Sequence, residues 1–561
     1  MTKFTKLALG AMAAACLSPS AFALSGAALD AVVGTDNEFF ITGATASDNA
    51  IKTFVANDLC ASSYDTYYDL ASGTEGGNWF TMSCTLKAVA PVPATLQGLD
   101  VIIHKRTKIG SLYGIYPIAL NSYVEFMNVK SNRGSGACVA AGVEGASSAI
   151  AGKPKWDCTV GTVASGFRDN TLIGAGPATV RHPGNTDECD YQTLAPTNPV
   201  AVPAGLDTIC RRGSLGTSDV EAEMFSGVNL TNIPGDNFLK LTTAQLTKFN
   251  RTRTIGQLFG VAVSNSVFNA LQLAQIGSNS APLADGSNWP SLTRDSIRQL
   301  LNGSVGLWSD VVKTAAPGGT INELTICRRE QGSGTQASSN QFFFNYPCDT
   351  NNGAIAQDTA GLQTDPLATG TGKYFVKENT SSTKVKNCLN QSELAVGGAD
   401  TFAGHATGAI GVLSYNGDPG ASDTYKWIKI DGILPSFQNA MLGKYDFWYE
   451  SQIGWNNTTT ALGGITAKEI ALNTALRTEL AQPARITTSL AKGIGALTIS
   501  GAKWDDGTNN TAFPNNYTAT NPVFGGKHGA TNLFPAAGTS PISCRLIQNA
   551  PDLATAPDRL N

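Results

Sequence analysis

The stretch ICRREQGSGTQ, Ile326 to Gln336, decides how this chain is read. The apolar run ELTIC in front of it has strand character and delivers Arg328 and Arg329 to its carboxyl end. Gly332 and Gly334 allow a tight turn, and a helix starting near Thr335 and running from Gln336 to Asn345 follows. The first N–H groups of such a helix have no partner within it, so its start attracts anions. Ser333 and Thr335 add hydroxyl donors, and an arginine adds a fork that suits a tetrahedral oxyanion. Taken alone, the tetrapeptide reads equally well as a capped helix beside solvated arginines.

Similar strand ends recur along the chain. EFFIT, Glu38 to Thr42, is a short strand that turns through GATAS and enters a helix with Ala50, Ile51, Phe54, Val55 and Leu59 at helical spacing. Val101 to Ile103 is a second strand, opening onto the donor-rich HKRTKIGSLYG with Ser111 at the centre of its turn. In GTSDVE the exposed group is an acceptor, Asp219. A carboxylate beside a bound anion is repulsive unless that anion carries a proton to donate, as hydrogen phosphate does and sulfate does not. Otherwise Asp219 reads as the N-cap of a helix through Met224.

LFGVAVSN, TGAIGVLSY, YKWIKIDG and KYDFWYESQI are further strand candidates. PSLTRDSIRQLLNG is a helix with Thr293 as cap, Leu292 and Ile297 as staple, and Asn302 and Gly303 as stop. Ala467 to Leu480 is another helix. Strand and helix alternate, which predicts an α/β fold with mostly parallel sheets. Ligands of such sheets bind outside the carboxyl ends of the strands.

In order along the chain, TGATA, IGSLYG, GTSDVE, LTRDSIRQLLNGSVGLWSD, ICRREQGSGTQ and TGAIGVLSY resemble the signatures of the periplasmic phosphate-binding proteins of ABC transporters. The resemblance covers roughly Glu38 to Gln452 and implies the type II periplasmic-binding-protein fold, two lobes joined by hinge strands around a central cleft. It implies anion contacts from Thr45, Ala46, Ser111, Asp219, Arg329, Ser333, Gly334 and Thr335. It places one lobe at 24–262 plus 445–561, the other at 263–444, and the crossings near VAVSN and YDFWYES. An ABC permease would then be the partner. The chain departs from the family in having Ala46 where a bulky residue is usual, and Gln331 where an aspartate often steadies the arginine. An insertion at about 115–213 and an extension at about 453–561 have no counterpart in compact members. His104, Lys105 and Arg106 read as a solvated turn, with contact to a larger phosphorylated ligand as the alternative.

The rest of the sequence sets bounds. With 561 residues the chain exceeds one core, and 15% charged residues with 59 glycines suit a turn-rich globular protein. The formal charge of −4 offers no basic field for nucleic acid. Lys3 and Lys6, the apolar LALGAMAAACL and the AFA ending at Ala23 read as a signal peptide over 1–23, hence export to the periplasm, the cell surface or the medium. Cys16 raises a lipoprotein signal as rival, although AAAC lacks the usual leucine. No later stretch is long and apolar enough to span a bilayer.

The cysteines beyond Cys16 are even in number and read as disulfides. Pairing of sequence neighbours is expected, such as Cys60 with Cys84, Cys138 with Cys158, Cys189 with Cys210 and Cys327 with Cys348, though spacing does not fix connectivity. Four histidines and no CxxC argue against a metal site. No GxSxG elbow occurs, and GTGKY at Gly370 to Tyr374 lacks the first glycine and the Ser/Thr of a phosphate loop. The sequence therefore predicts a monomeric binder of phosphate or a close oxyanion, with no catalytic residues and no cofactor. The alternative is an interaction protein that keeps the binding fold as a scaffold.

Overall fold

The structure, a computed structural model, describes residues 24–69, 79–121, 123–129, 138–144, 150, 152–158, 208–230, 240–283, 286–312, 319–357, 374–394, 406–415, 419–420, 422–436, 439–440, 444–456, 465–480 and 496–498. The expected leader, Cys189, Cys544, Gly370 to Lys373 and most of the C-terminal extension fall outside these residues.

Helix α1 (Gly26–Val32) leads into β1 (Glu38–Gly43), buried along its whole length. Helix α2 (Asp48–Phe54) follows and packs Ala50, Ile51 and Phe54 into one apolar core with Phe39 and Ile41 of β1. Strands β2 (Cys60–Asp69), β3 (Trp79–Leu86) and β4 (Asp100–Arg106) come next. Region 115–213 contributes α3 (Tyr116–Leu120), β5 (Tyr123–Met127), β6 (Cys138–Val143), β7 (Pro154–Cys158) and β8 (Thr208–Arg212). Then come β9 (Leu215–Ser218), the one-turn α4 (Thr243–Leu246), the long β10 (Phe249–Ser264) and α5 (Asn265–Ile276).

Beyond β11 (Ser291–Leu292), α6 (Arg294–Leu301) starts where Thr293 accepts from the Ser296 N–H and stops where Gly303 takes a positive φ of 74°. The remaining elements are β12 (Leu324–Arg329), α7 (Gly334–Phe344), β13 (Tyr374–Asn379), α8 (Ser382–Gln391), β14 (Gly408–Ser414), β15 (Tyr425–Trp427), β16 (Lys429–Ile430), β17 (Trp448–Asn456), α9 (Ala467–Leu480) and β18 (Ala496–Thr498). The fold is mixed α/β, as the alternation of patterns predicts, but the main sheet is not mostly parallel: β2–β3, β3–β4, β6–β7, β9–β17 and every pairing of β10 are antiparallel, because β10 and β17, antiparallel to each other, each run against one of the two sets of parallel strands.

Fourteen strands form one sheet, ordered β13-β12-β14-β10-β17-β9-β1-β4-β3-β2-β7-β6, with β15 and β18 also on β10. Its register positions the site. Strand β10 pairs antiparallel with β17 over Phe249 to Leu258 and with β14 over Phe259 to Val263, so two α/β halves lie end to end along it. In one half, β9, β1 and β4 are mutually parallel and, through β17, run in the direction of β10. In the other, β12, β13 and β14 are parallel and run against it. The carboxyl ends of the two parallel sets therefore face each other across the middle of β10.

The described part of region 115–213 is more integrated than its poor periodicity suggests. Strand β7 pairs parallel with β2 and carries β6 at the outer edge, so the region extends the main sheet. The Cys138–Cys158 bridge ties those two strands, and Cys60–Cys84 ties β2 to β3. The expected Cys327–Cys348 bridge is not formed. Cys327 pairs with Cys388 across 61 residues, because α8 packs over β12 in a small core shared with Val385 and Leu389, while Cys348 is disulfide-bonded elsewhere. A loop of this length restricts the unfolded chain by about 4 kcal/mol on the chain-entropy estimate. Joint Cys327→Ala and Cys388→Ala replacement should lower the unfolding free energy by about that amount, read from urea denaturation under oxidising conditions.

Candidate functional site

The site forms where backbone can approach backbone. Strand β1 exits through Gly43, at φ 114°, and an added Cβ there would lie 1.9 Å from the Thr217 carbonyl oxygen and 2.6 Å from Gly114 Cα. Gly114 and Gly216 are as tightly opposed, so the end of β1, the turn after β4 and the start of β9 interlock only because all three residues lack side chains. The Ala44 N–H donates to Thr217 O at 2.9 Å, and Ser47 Oγ donates to Thr217 Oγ1 at 3.1 Å. Thr45 and Ala46 stand in the single 3-10 turn between these anchors and α2. After β4, Ile109 and Gly110 both take left-handed conformations (φ 65° and 64°) and present Ser111, whose Oγ accepts from the Asp219 N–H at 3.1 Å.

The other half arrives as the turn between β12 and α7. Leu112 N–H donates to Gly332 O at 2.9 Å, and Gly332 N–H donates to Asn229 O at 3.1 Å. A Cβ on Gly334 would meet Ser111 Oγ at 2.3 Å, Asp219 Cβ at 2.7 Å and Asp219 Oδ2 at 2.9 Å. One on Gly110 would lie 3.4 Å from Ser333 Cα and 3.6 Å from Arg329 Nη2. Ser111, Asp219, Arg329, Ser333 and Gly334 are thus gathered at one junction of the two halves. Thr335 follows in the first turn of α7, with its carbonyl accepting from Ser338 Oγ and Ser339 Oγ. Thr45 and Ala46 sit beside the junction, tied to it through Thr217.

Burial sets the electrostatics. Asp219 is 2% exposed and its Oδ1 has no hydrogen-bond partner among the described residues. Desolvation pushes its carboxyl up to about 6, against the pull of Arg329, the Ser111 hydrogen bond and Lys105, while Asp48 adds to the rise. The Arg329 guanidinium donates to Asn379 O, Ser382 Oγ and Thr380 O, which fixes its plane and leaves N–H groups on Nη1 and Nη2 to spare. Burial lowers its pKa, with Glu330 and Asp219 opposing. Glu330 Oε1 lies 3.9 Å from Arg329 Nη2, and desolvation raises that carboxyl to about 8, so near neutrality Glu330 takes little of the arginine's charge. Gln331 is fully buried with neither carboxamide atom paired among the described residues.

Ser333 and Gln336 have the spacing of a capping box, yet Ser333 makes no side-chain cap bond and Gln336 Nε2 is unpaired. Both side chains are left without that local duty. Chemically, the junction offers hydroxyl, guanidinium and helix-start donors beside one buried carboxylate acceptor. Among the described residues no cluster of His, Cys, Asp and Glu is arranged to hold a metal, and no helix is long and apolar enough to cross a membrane.

Two expectations are corrected. His104, Lys105 and Arg106 are not a solvated turn: β4 runs through all three, and they are buried. His104 bonds Glu38 and Thr81, Lys105 pairs with Asp48, and Arg106 lies over the Tyr113 ring. Asp219 does not cap a helix through Met224, since only a single 3-10 turn, Ala222–Met224, follows it. Asp48, and the burial of Lys105 against it, are what the sequence reading missed. The signal was strand parity, which puts Lys105 on the same face as Val101 and Ile103.

No protein-family model matches the chain, and no curated protein sequence is significantly similar to it. Similar solved structures include an ABC-type phosphate transport receptor from Vibrio cholerae, with 12% identity and a TM-score of 0.28 over 51% of this chain and 80% of that one. Another is PstS from Borrelia burgdorferi, with 13% identity and a TM-score of 0.24 over 46% of this chain and 76% of that one. A phosphate-binding protein from Stenotrophomonas maltophilia shows 14% identity and a TM-score of 0.25 over 48% and 70%. Likeness this slight carries no weight by itself, and the ligand has to be judged from the junction's own residues.

Proposed function

We propose that this protein captures a single tetrahedral oxyanion, inorganic phosphate, between its two halves and performs no chemistry on it. The observation that carries this reading is the meeting of Ser111, Asp219, Arg329, Ser333 and Gly334 at one buried junction. Arg329, Ser111, Ser333 and the opening N–H groups of α7, from Gly334 and Thr335, would donate to the anion, with Thr45 and the Ala46 backbone completing the shell from β1. Asp219 would accept the proton that hydrogen phosphate carries at neutral pH. A fully ionised anion would face its lone pairs instead.

The donors come from both halves, so ligand favours their closure, with β10 and β17 as hinge between a lobe of 24–262 plus 445–561 and a lobe of 263–444. Such a protein, exported and paired with an ABC permease, would serve phosphate uptake. The test is titration with phosphate, arsenate and sulfate, followed by calorimetry and thermal unfolding. Phosphate and arsenate should each stabilise by about 2.7 kcal/mol at a hundred times their dissociation constants, and sulfate should not at equal concentration. Equal stabilisation by all three, or by none, would rule the reading out.

A further inference from the structure

The two halves also meet away from the proposed anion contacts. The 3-10 turn Gly227–Asn229 belongs with the half that holds β9, because the chain leading into it is anchored there: Glu223 forms a two-pronged ion pair with Arg251 of β10, and Gln452 Nε2 of β17 donates to Val220 O. From that anchorage the turn grips α7 of the other half at both ends. At the start, Asn229 O accepts from the Gly332 N–H at 3.1 Å. Further along, Asn229 Oδ1 accepts from Asn340 Nδ2 at 2.8 Å. Past the end of the helix, Tyr346 Oη accepts from the Val228 N–H at 3.0 Å and donates to Ser226 O at 3.2 Å.

These contacts are specific. Gly227, at φ 49°, leaves the space that Tyr346 Oη fills, since an added Cβ would lie 1.9 Å from that oxygen. Asn229 and Asn340 are both buried, and each spends its other amide atom inside its own half: Asn229 Nδ2 donates to Met224 O, and Asn340 Oδ1 accepts from the Ile355 N–H. That division fixes which atom each carboxamide turns toward the other. We propose that Asn229, Asn340 and Tyr346 are positioning residues: together they fasten α7 against the turn that carries Ser111 and Asp219, and so set the affinity for the anion without touching it. The inference rests on the phosphate reading above.

When the halves part, the fastening bonds exchange for water, and when they close on the anion the bonds form with it. Their strength therefore counts in the closed state and is felt as slower release. Each such bond shifts an equilibrium by about two- to tenfold. Tyr346→Phe removes only the bridging hydroxyl. Asn340→Asp keeps the acceptor for the Ile355 N–H and sets an oxygen against Asn229 Oδ1. Each variant should bind phosphate about tenfold more weakly, with release faster by that factor and the association rate within about twofold of wild type. Arsenate should weaken by the same factor, because the fastener meets neither ion. Stopped-flow and calorimetric titrations with inorganic phosphate and arsenate at one fixed pH measure all of these.

Residues that serve the fold alone would lower the thermal midpoint without ligand and leave the release rate where it was. Faster release of both ions at an unchanged association rate supports the inference. An unchanged release rate, a loss carried by slower association, or a shift in the preference between phosphate and arsenate overturns it, while phosphate binding by wild type leaves the anion site standing. If wild type binds neither ion, the phosphate reading falls and the fastener falls with it. Should Asn340→Asp fail to fold, Tyr346→Phe decides alone by the same release rate.

Discussion

Gly334→Ala should weaken the proposed anion binding severalfold to over a hundredfold while leaving most of the fold in place. Gly334 has no positive φ, so alanine suits its backbone, and as the first residue of α7 it is even favoured there. The obstacle is wholly steric. The added methyl would lie 2.3 Å from Ser111 Oγ and within 3 Å of both Cβ and Oδ2 of Asp219. Neither neighbour can yield freely: Ser111 Oγ holds the Asp219 N–H, and Ser111 stands on a turn fixed by two left-handed residues. The strain is relieved by parting the two halves, which separates the donors of α7 from those of β4 and the acceptor after β9.

Overpacking of this kind costs about 1–3 kcal/mol, and because it falls on the closed arrangement alone, phosphate affinity should drop by roughly 5- to 160-fold. The thermal midpoint without ligand should fall by only a few degrees. Calorimetry on the variant checks this, and wild-type affinity would mean that the anion does not lie between Gly334 and Asp219.

Asp219→Asn should have the second largest effect, on choice of ligand more than on affinity. The substitution keeps shape and exchanges a charged acceptor for a neutral group that can also donate. Repulsion of a fully ionised oxyanion disappears, and the carboxamide N–H can serve the oxygen that met lone pairs before. Sulfate should gain about 3 kcal/mol, a little over a hundredfold, while phosphate loses roughly tenfold with its charge-assisted bond. Competition of the two anions at pH 8, where Asp219 of wild type is ionised, gives the contrast directly. Undiminished rejection of sulfate by the variant would show that selectivity comes from elsewhere.

Local signals carried much of the architecture. β1, β4, α6, α9 and the strand–turn–helix around Ser333 can be read from apolar spacing, caps and glycines, because each depends on residues within one or two turns of chain. What escaped reading depends on distant partners. His104 and Lys105 look like solvent-loving residues until β1 and its exit supply Glu38 and the Gly43 and Ala44 carbonyls to receive them. Cys327 finds Cys388 rather than its sequence neighbour because a helix and a strand pack, which no spacing encodes. The place of β7 beside β2 is likewise a pairing between remote segments. The candidate anion contacts were legible as separate turns, while the reason they can meet, three closely opposed glycines and an end-to-end pair of parallel strand sets, exists only in three dimensions.

The Cys327–Cys388 bridge stands beside the seat of Arg329. It joins β12, two residues before Arg329, to α8, while Asn379, Thr380 and Ser382 at the threshold of α8 hold the guanidinium. Reduction should loosen that threshold from the strand and with it the seat of the arginine, a change that anion titration before and after reductant would read. A freshly made, unoxidised chain would be a poor scavenger, and competence to take up its ligand would arise only once sulfur chemistry had finished the scaffold.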